Sequence, residues 1–407
     1  MSSTVSPTSI APSHQAVLSS EEILARAAKF TLVLRERSTA ANHARRVPRE
    51  TIDELLEAGL FKLLQPKRWG GTEHDLETFS RTAIQLGRGC GSVGWVFSVL
   101  SIHQWMVGLY PLKAQEEVWG KDRNALIASA LRPGGKVTRV DGGWRVTGKW
   151  GFASGIDNSQ WIIVGGFMGM TGTPPHPDVK LLLIPVSDGR IEDDWHVIGL
   201  RGTGSKTFAC DDAFIPDHRA LDFGAAKEGN APGREVNDGP LFRLPVFAGF
   251  PVCLCSPAVG AAWGAYDRFI EYAATRKALN QKGLGDFATV QMRVAEASSM
   301  IDAADCMLQR SCRHAIETTL AGRALTLEER GRFRRDQAWA AKTSAEAAEK
   351  LLRACGGVGI FNDFEIQRCY LDAFAAASHI GTNWDAAATQ FAQVALGVGK
   401  VEALAWI

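Results

Sequence analysis

The stretch KVTRVDGGWRVTGKWGFASGIDNSQWIIVGG, residues 136–166, decides how the chain is read. KVTRV and WRVTGKW are short runs of β-type residues joined by the turn DGG, and WIIVGGF follows as a third apolar run. The pattern continues through KLLLIPV and TFACDDAFI, so residues 124–227 predict a β domain. Within it, the small-residue turn of FASG sits between two strand-like runs, with Trp150 before it and Trp161 after it. Taken alone, this is a strand-end turn with two core tryptophans.

On both sides of this domain the periodicity is helical. In residues 21–123, SEEILARAAKF offers Ser20 as N-cap with acids in the first turn, and RETIDELLEAGLF closes on Gly59. A Gly, Asn and Pro rich linker, 228–240, precedes a helical region, 241–397, with Ala-rich runs such as RDQAWAAKTSAEAAEKLLRA. Residues 1–20, rich in Ser, Thr and Pro, read as a disordered lead-in without the order of a secretory signal, and 398–407 as a tail.

Composition narrows the partners. Lys plus Arg (45) nearly equals Asp plus Glu (44), so a net charge of +1 provides no field for nucleic acid or an anionic membrane. Two uncharged stretches, 91–112 and 244–266, approach the length of a membrane span. The first carries His103 and Gln104 and the second is interrupted by Pro245, Pro251 and Pro257, so both read as buried packing. Eight cysteines without a CxxC pair fit a reducing cytoplasm. No GxxxxGK[ST] loop, HExxH or paired-cysteine spacing is present, so metal and nucleotide-triphosphate chemistry have no support. GLRGTGS lies between β segments and does not open a helix, which excludes a dinucleotide fingerprint.

Four segments, VPRETIDELLEAGLFKLLQPKRWGG, GKWGFASG, GLRGTGSKTFACDDAFIPDHR and RACGGVGIFNDFEIQRCYLDA, in a chain ordered helices, strands, helices, resemble the acyl-CoA dehydrogenase superfamily over residues 21–397. The resemblance implies an α+β fold: an N-terminal helical domain, a central β-barrel-like domain and a C-terminal helical bundle, commonly assembled as a homotetramer. It also implies a flavin packed on the β domain, lined by Trp150, Phe152, Ser154 and Gly155, with the Ser154 hydroxyl near the reactive N5 and C4a edge. Arg201 would contact flavin or shape the substrate loop, with a surface ion pair as the alternative. Arg276 stands where an arginine of the superfamily often meets the cofactor pyrophosphate, but TRKALNQKG departs from RxxFG, which leaves both FMN and FAD open. Gly356 and Gly357 would form a tight turn that helps hold a neighbouring subunit's cofactor.

Dehydrogenation in this superfamily needs a carboxylate base. One usual glutamate position falls on Ile380, and the other lies in residues 245–266, which contain no Asp or Glu. SVGWVFSVLSIHQW with His103, FASG with Ser154 and ASHIGTNWD with His379 instead resemble the flavin-dependent monooxygenase branch, the oxygenase components related to p-hydroxyphenylacetate hydroxylase. That resemblance implies reduced flavin (FMNH2 or FADH2) from a separate NAD(P)H:flavin reductase, O2, a C4a-hydroperoxyflavin, and hydroxylation of an aromatic, phenolic small molecule. His379 would deprotonate or orient the phenol, Ser154 would donate to the flavin or its peroxide, and His103 is either catalytic or a hydrogen-bonded core residue. The alternatives are N- or S-oxygenation, an acyl-CoA dehydrogenase-type enzyme with a relocated base, and a scaffold that has lost flavin.

Overall fold

The computed structural model describes residues 18–173, 175–278 and 281–398. Most of the expected lead-in and tail lies outside them. The chain opens with α1 (Ser20–Ala44), α2 (Arg49–Glu57), α3 (Leu76–Gly89), α4 (Gly91–Val107) and α5 (Leu112–Trp119). The N-cap of α1 is Ser19, one residue before the expected Ser20, because Ser19 and Glu22 form a reciprocal capping box. After α2 the chain turns at Gly59, whose φ of 76° suits glycine.

The strands are β1 (Ile127–Gly134), β2 (Lys136–Val140), β3 (Gly143–Ala153), β4 (Trp161–Thr171), β5 (His176–Pro185), β6 (Arg190–Glu192), β7 (Lys206–Pro216) and β8 (Ala220–Asp222). They form two four-stranded sheets, ordered β1-β4-β5-β8 and β2-β3-β7-β6. Between the sheets lies a core that includes Val146, Trp150, Ile162, Leu182 and Phe208. β3 buries Val146 and Trp150 at alternate positions, then loses its register with β7 between Trp150 and Ala153. This bulge brings Ala153 inward and turns Phe152 outward, 72% exposed, with a φ of 64°.

Helices then resume: α6 (Phe223–Lys227), α7 (Val246–Gly249), α8 (Val252–Thr275), α9 (Ala288–Leu320), α10 (Leu327–Ala354), α11 (Glu365–Ala377) and α12 (Trp384–Ala395). The segment Val246–Thr275 is long and apolar enough to cross a membrane, yet 83% of its most apolar window is buried inside the protein. Pro257 does not interrupt α8, although its missing N–H leaves the carbonyl of Cys253 without the usual helical donor. The Ser98 hydroxyl of α4 supplies that donor at 2.6 Å. α4 itself is buried along its whole length and forms one wall of the site.

Candidate active site

The FASG turn and the GLRGTGS loop are tied together by hydroxyl groups. Trp95 Nε1, on α4, donates to Ser154 Oγ at 2.9 Å. Ser154 Oγ lies 2.7 Å from Ser205 Oγ, which lies 2.6 Å from Thr203 Oγ1, and Thr203 Oγ1 donates to the Leu200 carbonyl at 2.8 Å. All four side chains are buried. Leu200 sits in the left-handed region at φ 52°, and its N–H donates to Asp372 Oδ1 at 2.6 Å. Burial pushes the Asp372 carboxyl up to about 6. The same Leu200 carbonyl accepts from Trp195 Nε1 at 3.1 Å, and the Trp195 ring meets Phe152 edge-on at 5.7 Å. Phe152 is thereby propped from one side with its other side open.

His379 joins this group through Trp95, the two ring centroids being 5.9 Å apart. It does not cap α11, which ends two residues earlier at Ala377. It caps the next short turn, its Nδ1 accepting from the Gly381 N–H at 2.8 Å. The proton of the neutral ring is therefore on Nε2. Arg334, buried and without a carboxylate partner among the described residues, donates to the carbonyls of Gly381 and Ile380 in the same turn. Burial first, and the Arg334 charge second, lower His379 to about 4, so the ring is neutral at physiological pH. A neutral imidazole with Nδ1 already accepting has an N–H to offer, and no free lone pair. It can orient a phenolic oxygen more readily than take its proton.

His103 is engaged at both nitrogens. Nδ1 donates to the Ile127 carbonyl at 2.6 Å, and Nε2 accepts from the Ser129 hydroxyl at 2.8 Å. The ring is 1% exposed, burial lowers it to about 4, and it stacks on Phe250 at 6.2 Å. It fixes Ser129, on β1, and is poorly placed to exchange a proton itself.

The other expected residues divide. Gly155, at φ 72°, packs its backbone against Val96 and Leu100 of α4, so a Cβ there would crowd both side chains. Trp150 departs from expectation: it is 3% exposed, donates from Nε1 to the Gly165 carbonyl at 3.0 Å and fills the space between the sheets. It belongs to the apolar core shared by the two sheets. Arg201 begins the short turn Arg201–Thr203, and its buried Nε has no partner among the described residues. Arg276 is exposed at the C-cap of α8, and no contact joins it to the Ser154 group among the described residues. Gly356 and Gly357 are exposed with open space above both, and Gly356 has φ 67°. Sequence reasoning passed over Trp95, Ser205 and Ser129. Trp95 and His103 share α4, but their roles depend on partners in the β domain.

Of the carboxylates near the site, Asp372 accepts from the Leu200 N–H and Asp157 pairs through Oδ1 with Lys206 at 3.0 Å. Ile380, at one usual base position, is 81% exposed. Two half-open cavities, of 230 and 390 Å³, lie around Arg310 and Phe333 and around Arg46 and Asn158, and neither is lined by Ser154, His103 or His379. Beside the buried Ser154, the exposed Phe152 ring is the part of this turn that faces outward.

Residues 20–121 match the family model of the acyl-CoA dehydrogenase N-terminal domain, and residues 252–384 that of its C-terminal domain. The chain is 38% identical over 348 residues to the flavin-dependent monooxygenase oxygenase subunit HsaA of Rhodococcus jostii (strain RHA1), covering 85% of this chain and 91% of that protein. It is 37% identical over 390 residues to the oxygenase component of the FADH(2)-dependent resorcinol hydroxylase of Rhizobium sp. (strain MTP-10005), covering 92% and 94%. The crystal structure of 3-HSA hydroxylase from Rhodococcus sp. RHA1 is similar with a TM-score of 0.88 at 35% identity, covering 94% of this chain and 99% of that one. The helical, β and helical regions and these likenesses agree: the chain belongs to the acyl-CoA dehydrogenase superfamily, in its branch of flavin-dependent monooxygenase oxygenase components.

Proposed function

We propose that this protein is the oxygenase component of a two-component system that hydroxylates an aromatic, phenolic small molecule, with reduced flavin delivered by a separate NAD(P)H:flavin reductase. The observation that carries the reading is the Trp95–Ser154–His379 cluster, with Ile380 standing at one usual position of the base. Flavin fits the residues present: Phe152 offers an outward aromatic face, Ser154 a lone pair, Arg201 a buried unpartnered Nε, and Gly356 and Gly357 an open turn.

Bound reduced flavin supplies the two electrons that activate O2, so that one oxygen atom enters the ring and the other leaves as water. The protein's own residues orient and exclude water. Trp95 fixes Ser154 and walls His379, while the Nε2–H of His379 faces the phenolic oxygen and strengthens as a donor when that oxygen gains negative charge. His103 holds the Ser129 hydroxyl in place on β1. The outward Phe152 ring suits a homotetramer in which a second subunit, through its Gly356–Gly357 turn, helps enclose the cofactor. Eight free thiols suit the cytoplasm.

The test is isotopic. Chemically reduced FMN or FAD, 18O2 and a panel of phenols are given to the purified protein without reductase, and one 18O atom per hydroxylated product is expected. Product lacking 18O, or turnover of acyl-CoA substrates with an artificial acceptor, overturns the reading.

A further inference from the structure

We infer that Thr203 and Ser205 are positioning residues that set the direction of the Ser154 hydroxyl and so make the site discriminate between the redox states of its flavin. The inference rests on the flavin reading above, with Ser154 at the N5 edge.

Proton accounting fixes the direction. A carbonyl only accepts and an indole N–H only donates, and each hydroxyl has one hydrogen. Thr203 gives its hydrogen to the Leu200 carbonyl, so across the 2.6 Å contact it accepts from Ser205. Ser205 has then used its hydrogen, so across the 2.7 Å contact Ser154 donates to it. Trp95 Nε1 occupies one lone pair of Ser154. What Ser154 has left for anything outside the protein is one lone pair, and no hydrogen.

The anchor of this chain is firmly held. The Leu200 carbonyl also accepts from Trp195 Nε1, and the Leu200 N–H is bound by the buried Asp372 carboxylate. Reversing the chain takes the Thr203 hydrogen away from the Leu200 carbonyl, the acceptor it has at 2.8 Å. Reduced flavin carries a hydrogen on N5, whereas N5 of oxidised flavin is a lone-pair acceptor. An acceptor-only Ser154 meets the first with a hydrogen bond and the second with two opposed lone pairs. Thr203 and Ser205 thus favour the form that can react with O2 and disfavour the product flavin, which must leave before the next turnover.

The test compares dissociation constants of oxidised and anaerobically reduced FMN for the full-length protein and for Thr203→Val, Ser205→Ala and Thr203→Ser. The unsubstituted protein is expected to prefer reduced FMN. Thr203→Val and Ser205→Ala free the Ser154 hydrogen and are expected to reduce that preference about tenfold. Thr203→Ser keeps the hydroxyl and should restore it to within about twofold. By linkage, the two-electron midpoint potential of bound FMN should fall by about 30 mV for each tenfold loss of preference, a readout independent of turnover. An unchanged preference and potential in both deletion variants, with reduced FMN still bound, overturns the relay alone. Failure of the unsubstituted protein to bind FMN or FAD in either state overturns the flavin reading beneath it.

Discussion

Trp95 Nε1 donates to Ser154 Oγ at 2.9 Å while the Trp95 ring packs 5.9 Å from His379, so one buried side chain on α4 sets both polar groups of the site. Trp95→Phe removes the donor and keeps most of the ring. Hydroxylated product per flavin oxidised should fall about tenfold, with hydrogen peroxide making up the difference, as expected for the loss of one buried hydrogen bond. Peroxide and product assays on the same samples check this; unchanged coupling would remove Trp95 from the account.

His379, held near 4 by burial and by Arg334, stays neutral from about pH 5 to pH 8. His379→Ala should lower hydroxylation about a hundredfold, within the range of a lost polar catalytic group, and leave reduced-flavin affinity within about threefold. The pH profile of the unsubstituted enzyme should show no ionisation near 6.5 that disappears in the variant. Such a limb would mean that His379 acts as a titrating base.

His103 gives a signed pH effect on stability. Its folded value is near 4 and its unfolded value near 6.5. Between the two, the unfolded chain binds a proton that the folded one refuses, so stability present above about 6.5 is lost as pH falls toward 4, by up to about 3 kcal/mol. Asp372, raised to about 6, acts with the opposite slope over part of that range. Comparing urea midpoints with those of His103→Asn, which keeps a donor for Ile127, isolates the histidine contribution. The variant should lose less stability on acidification.

Phe152 combines an outward ring with a φ of 64°, a conformation that disfavours residues with a Cβ. Phe152→Gly should raise the stability of flavin-free protein by about 1 kcal/mol and weaken flavin binding about tenfold. Thermal unfolding and flavin titration measure the two effects, and both moving in the same direction would contradict the assigned role.

The order of helices and strands was legible because the hydrophobic period changes at each boundary and DGG and Gly59 mark turns. What was not legible came from contacts distant in sequence. Pro257 looks like an interruption until Ser98 is found beneath it. The inward face of β3 can be followed through Val146 to Trp150, in line with the core reading of Trp150 from the strand pattern alone; the bulge that then reverses Phe152 breaks the alternation without a sequence signal of its own. Ser154 and His379 stood out through family likeness. Trp95 and Ser205 did not, since their roles arise only when α4, the FASG turn and the GLRGTGS loop meet.

The most direct test of the central claim is rapid mixing of the protein, loaded anaerobically with reduced FMN or FAD, against oxygenated buffer. The account predicts a species absorbing near roughly 380 nm that persists before oxidised flavin appears, as oxygenated flavin chemistry requires. Immediate formation of oxidised flavin, with no such phase for either cofactor, would contradict it.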